Sequence, residues 1–202
     1  SGQGKYLNQE FYGSFNRTVQ NNNKGESINR KELETSDDPF LGNPKAEMII
    51  VEFVDFKCPN CKKASPILDK LLKQYGYKFK FIERDFPAES VRHGSSKLAE
   101  VAYCAHQQSR YWQMRGVLFE NQELLGSTLS DSELKNFSDL ASTDFKTLKK
   151  CLIDGKAKFE INKDFADGFR FGVKGTPTFF VNGQKIEGVV PWSTWEKLMK
   201  SF

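Results

Sequence analysis

A chain of 202 residues with 38% apolar and 13% aromatic side chains can bury the core of one generous domain, or of one domain carrying an insertion. Its 30 basic residues are dispersed among 26 acidic ones for a net charge of +4, which reads as a mildly basic solvated surface and gives no support to a nucleic-acid partner. There is no apolar run long enough for a transmembrane helix, and Ser-Gly-Gln-Gly-Lys at the start has no leader-like pattern, which says nothing of a precursor.

Residues 1–36 read as a polar extension. Tyr6, Leu7, Phe11, Tyr12, Phe15 and Val19 recur at helical intervals before the polar run Gln20–Ser27, so a short amphipathic helix is expected, either docked on the domain or used for association. Asp37-Asp38-Pro39 and Gly42-Asn43-Pro44 punctuate the entry to the main domain, 37–202. Glu47–Phe56 is an apolar, β-prone run that predicts a central strand buried on both faces. Cys58-Pro59-Asn60-Cys61 follows directly. Ala64, Ile67, Leu68, Leu71, Leu72 and Tyr75 then predict a helix that ends at Gly76 and contains Pro66. A second strand is expected over Tyr77–Ile82.

From about 90 to 169 the periodicity is helical, with cap clusters at Ser130-Asp131-Ser132-Glu133 and Ser142-Thr143-Asp144. Pro177–Val181 and Lys185–Val190 predict a hairpin turning at Asn182-Gly183. A last helix is expected from Ser193, as its cap, to about Lys200. The order is a βαβ unit and a ββα unit separated by a helical block.

A Cys-x-x-Cys turn that opens a helix suits thiol–disulfide exchange. The first sulfur, Cys58, sits where unpaired N–H groups and the helix dipole favour a thiolate, and Cys61, one turn on, can resolve a mixed disulfide. Pro59 suits the first turn because it wastes no N–H. Lys57, Lys62 and Lys63 flank the turn, either as small contributors to thiolate stability or as ordinary solvated lysines. The competing zinc reading lacks partners: Cys104 and Cys151 stand alone, and His93 and His106 are far apart in sequence. No metal site is assigned.

Phe53-Val54-Asp55-Phe56-Lys57-Cys58-Pro59-Asn60-Cys61, together with Gly175-Thr176-Pro177-Thr178-Phe179-Phe180-Val181-Asn182-Gly183, resembles the DsbA-like branch of the thioredoxin superfamily, over residues 37–202. The resemblance implies an α/β thioredoxin-like fold with a helical insertion between its βαβ and ββα halves. It implies a cis bond before Pro177, with the Thr176 backbone open to substrate, and a buried acid at Glu52 that exchanges a proton with Cys61. Asn60 departs from the histidine of the strong oxidases. It carries no charge, so a less acidic Cys58 and a milder pair are expected. Cys104 and Cys151 are read either as two buried thiols or, as in some relatives and as suits an oxidising compartment, as a second, structural disulfide.

The function so expected is an extracytoplasmic thiol:disulfide interchange protein, of the periplasm or bacterial cell envelope, that introduces disulfides through Cys58 and Cys61. It would need no cofactor, act as a monomer on unfolded or partly folded secreted proteins, and be reoxidised by a DsbB-like membrane partner. The alternatives are an isomerase or reductase of the same superfamily, and a holdase-type binding module with idle cysteines.

Overall fold

The computed structural model describes residues 27–202; the helix expected within 6–19 lies outside them. The chain divides into two compact units. The first comprises the stretch up to Glu52 together with Ala64–Glu83 and Thr178–Phe202; the second comprises Phe53–Lys63 and Arg84–Pro177.

The first unit is organised by a five-stranded sheet. Strands β1 (Phe40–Gly42), β2 (Met48–Val54), β3 (Phe79–Asp85), β4 (Thr178–Val181) and β5 (Gln184–Glu187) lie in the order β1-β3-β2-β4-β5. The central place of β2 explains its composition: every residue from Met48 to Val54 is buried, and an apolar run without alternation is what a strand covered on both faces requires. A short helix α1 (Arg30–Leu33) precedes the sheet, capped by the Asn29 side chain on Lys31 N–H. Its Leu33 is fully buried, and Arg30 donates to the carbonyls of Ala46 and Glu47. Helix α2 (Pro59–Tyr75) joins β2 to β3 and runs through Pro66.

Several boundaries differ from the sequence expectation. β1, read as mere punctuation, is a real edge strand antiparallel to β3; Gly42, at φ +85°, ends it where a Cβ would meet the Phe79 carbonyl at 2.3 Å. β3 starts at Phe79 rather than Tyr77 and continues past Ile82 through Glu83, Arg84 and Asp85, all buried. The last helix, α8 (Trp192–Ser201), opens after Pro191, not at Ser193, because the fixed φ of Pro191 (−62°) already sets the entry and the Trp195 N–H closes onto its carbonyl.

The β4–β5 hairpin is antiparallel, and its turn residues Asn182 and Gly183 both have positive φ, as a tight turn matched to strand twist demands. β5 is shorter than expected, ending at Glu187. Asn182 also fastens the hairpin to β2: its Oδ1 accepts the Ile49 N–H at 2.8 Å and its own N–H donates to the Ile49 carbonyl at 3.0 Å.

The second unit is helical: α3 (Ser95–His106), α4 (Tyr111–Glu120), a 3-10 turn (Gln122–Leu124), α5 (Asp131–Leu140), α6 (Phe145–Asp154) and α7 (Lys156–Arg170). Small residues on α3 (Ala99, Ala102, Cys104 and Ala105 are all buried) let α4, α6 and α7 pack against it. Ser130 forms the expected capping box with Glu133, and Asp144 caps α6 through Thr147 N–H. Cys104 and Cys151 are bonded to one another, joining α3 to α6 across a sequence separation of 47 residues. The charges at the end of β3 are answered from α7: Arg84, with a fully buried side chain, donates to Asp164 at 2.6 Å and to Asp167 at 2.8 Å.

Candidate active site

Cys58 and Cys61 are free thiols at the start of α2, and both belong to one apolar cluster with Val54, Phe56, Leu98 and Tyr111. The chain enters through Asp55, whose carbonyl accepts the Cys58 N–H at 2.9 Å and whose Oδ1 accepts the Lys57 N–H at 2.8 Å. These two bonds wind the backbone into the helix, and the Cys58 carbonyl then accepts the Lys62 N–H. Pro59 and Asn60 are exposed, whereas Cys61 is fully buried.

The Cys58 thiol donates to the Thr176 carbonyl at 3.1 Å, across 118 residues of sequence. The next peptide bond, Thr176–Pro177, is cis. Hydrogen bonding from the Cys61 side chain is the main influence on Cys58. Burial opposes it, while the Thr176 side chain and the backbone N–H groups of Cys61 and Asn60 add to it, and Cys58 is brought down from 9.0 to about 5. The uncharged Asn60 therefore contributes through its backbone, and a strongly acidic thiol is reached without a charged residue at that position.

Three residues that composition and motif did not single out build the frame. Gln122, buried on the 3-10 turn, donates from Nε2 to the Phe56 carbonyl at 2.7 Å and to the Cys58 carbonyl at 3.1 Å. Asp55 has a fully buried side chain, and its Oδ2 accepts both the Ala88 N–H and Arg92 Nε. An acid two residues before an N–H donor at a helix entrance is a local turn signal that could have flagged Asp55. Gln122 and Arg92 carry no such signal, since their partners are distant in sequence.

Two of the flanking lysines, Lys57 and Lys62, are committed elsewhere. Lys57 Nζ donates to the carbonyls of His93 and Gly126, at 2.6 and 2.7 Å, and Lys62 pairs with Glu123 at 3.4 Å. Glu52, in β2, is fully buried. Among the described residues no cluster of three or more His, Cys, Asp and Glu is set to hold a metal ion. An acidic thiol at a helix start, with a second thiol hydrogen-bonded to it, can form and release mixed disulfides.

The family model described as thioredoxin matches residues 34–201. The chain is similar to BdbD of Bacillus subtilis, with 26% identity, a TM-score of 0.71, and 88% of this chain and 100% of that one covered. It is also similar in fold to the thiol-disulfide exchange protein alpha-DsbA2 of Wolbachia pipientis, with 18% identity, a TM-score of 0.73, and coverage of 99% and 97%. Among curated proteins it is 30% identical over 151 residues to the Na(+)/H(+) antiporter NhaA 3 of Salinispora tropica, covering 75% of this chain and 22% of that protein. The chain spans about a quarter or less of the length of the curated relatives it matches first. The chain belongs to the thioredoxin family.

Proposed function

We propose that this chain donates disulfides to unfolded or partly folded proteins outside the cytoplasm, in the periplasm or bacterial cell envelope. The observation that carries the reading is the Cys58 thiol at the mouth of α2, 3.1 Å from the Thr176 carbonyl and three residues from the buried thiol of Cys61, surroundings that lower its pKa to about 5. So acidic a thiol is a good leaving group and a reluctant disulfide partner, so the Cys58–Cys61 bond is readily given up.

In the forward cycle a substrate thiolate attacks Cys58 Sγ of the oxidised pair, and the S–S bond breaks with its electron pair leaving on Cys61. A second substrate thiolate then attacks the substrate sulfur of the mixed disulfide and expels the Cys58 thiolate. Two electrons pass from substrate to protein, and the substrate gains one disulfide. The resemblance assigns Glu52 the task of exchanging a proton with Cys61, and Thr176 and Pro177 that of presenting backbone to the substrate. Reoxidation falls to a DsbB-like membrane partner, and the chain works as a monomer. Residues 1–36 stand as an extension to a domain over 37–202, with its helical insertion at about 90–169.

The test is the reduction potential of Cys58–Cys61 in glutathione buffers, followed by tryptophan fluorescence. A value well above that of thioredoxin, on the side of the strong oxidases at about −120 mV, is the expected result and marks a disulfide donor. A value near about −270 mV replaces the donor with a reductase. Replacing both cysteines with serine separates the holdase, which would keep its grip on unfolded chains.

A further inference from the structure

An acidic thiol beside a buried carboxylate poses an electrostatic problem. Asp55 is fully buried, and its carbonyl and Oδ1 accept the N–H groups of Cys58 and Lys57, so its negative charge lies at the base of the redox turn. A second negative charge on Cys58 would be repelled by it. At the turn itself Oδ1 has only to accept the Lys57 N–H; the second oxygen, Oδ2, accepts the Ala88 N–H and carries a charge that calls for a cation.

That cation is Arg92, from the loop between β3 and α3. Its Nε lies 2.8 Å from Asp55 Oδ2, and its side chain is only 26% exposed. Lys63 also flanks the turn, on α2, and Lys57, Lys62 and Glu89 are spent on different tasks. Lys57 binds the carbonyls of His93 and Gly126, and Lys62 pairs with Glu123. Glu89 accepts the N–H groups of Gly94 and Ser96, with His93 acting on it electrostatically.

We propose that Arg92 is the fixed counter-charge of the redox pair, held on Asp55 so that the turn accepts negative charge on sulfur, and that it supplies the positive charge Asn60 lacks. It is a positioning residue: it acts on Cys58 through Asp55 and through space, not by touching substrate. The electrostatics agree in direction. Burial opposes the charge on Arg92, yet Asp55, and then Cys58 and Cys61, hold its pKa above the usual value. This inference rests on the exchange chemistry proposed for Cys58.

The experiment is a pH titration of the ultraviolet thiolate absorbance in the reduced protein, with three variants. Arg92→Gln leaves Asp55 unneutralised and should raise the Cys58 midpoint by about one pH unit. Arg92→Lys keeps the charge and should titrate close to the parent. Asp55→Asn frees the Arg92 charge and should lower the midpoint, which keeps the test open if Arg92→Gln does not fold. Equal shifts in the Gln and Lys variants would mean that Arg92 acts by shape and would overturn the proposal. So would an unchanged or raised midpoint in Asp55→Asn. Both of those failures leave an acidic Cys58 in the parent intact. A parent with no thiolate transition on the acid side of neutrality sinks the proposed function as well.

Discussion

Two cysteine pairs share one apolar cluster, and they are kept apart by what surrounds each sulfur. Cys58 and Cys61 are three residues apart at a helix start, among hydrogen-bond donors and beside the Thr176 carbonyl, and are free thiols. Cys104 and Cys151 are 47 residues apart on two packed helices and are bonded. At the first pair the surroundings favour a charged sulfur, which disfavours a permanent bond. At the second, Cys104 is fully buried on the packed face of α3, where a neutral disulfide is at home. The contrast teaches that a cysteine's role follows from the donors and charges around it more than from burial, since Cys58 and Cys104 are both buried.

The contrast can be broken most completely at Cys58. Cys58→Ser should abolish disulfide transfer to a reduced model substrate while leaving the fold, read by circular dichroism, close to the parent. The same sulfur has a pH signature. Because its folded pKa is depressed from 9.0 to about 5, the reduced form gains stability from the thiolate. That gain is complete above the unfolded value and is lost as pH falls through about 5. Urea melts of the reduced protein should therefore show this advantage fading toward acid pH. Melts of the oxidised protein lack this sulfur's contribution, so its absence from the reduced melts would refute the low value.

The second pair should behave in the opposite way. Cys104→Ser/Cys151→Ser should retain disulfide transfer yet lose about 4 kcal/mol of stability, because the bond closes a long loop in the unfolded chain. Urea unfolding without reductant measures this. A loss of transfer with stability intact would reverse the roles assigned to the two pairs.

The smallest effect sharpens the contrast rather than breaking it. Gln122→Ala removes the donor shared by the Phe56 and Cys58 carbonyls and should cost about 1–3 kcal/mol. It should also slow transfer, because it loosens only the turn that carries Cys58, and the Cys104–Cys151 bond should stay formed. Mass spectrometry after alkylation reads the bond, and the urea midpoint reads the cost.

Much of this was legible in residue order. The apolar run at Met48–Val54, the helix after Cys58, the capping box at Ser130 and the turn at Asn182-Gly183 are local signals, and each is where the periodicity put it. Less legible was anything set by a distant partner. The alternation that marks β3 stops at Ile82, and Glu83-Arg84-Asp85 extends the strand with three buried charges. Arg84 is buried there only because Asp164 and Asp167 answer it from α7. The hydrogen bonds that lower Cys58 to about 5, from Cys61, Thr176 and the backbone N–H groups, likewise follow from the folded turn and not from the Asn60 side chain.

By itself, the sequence determined the family, the redox turn and the order of the elements from β2 onward, because periodicity, caps and a Cys-x-x-Cys turn are written over spans of a few residues. Tertiary structure alone decided that Thr176 meets Cys58, that Gln122 and Arg92 brace the turn, and that Cys104 finds Cys151. Those contacts join residues 37 to 118 positions apart, and only the packing of the folded chain selects one such pairing from the many that the composition allows.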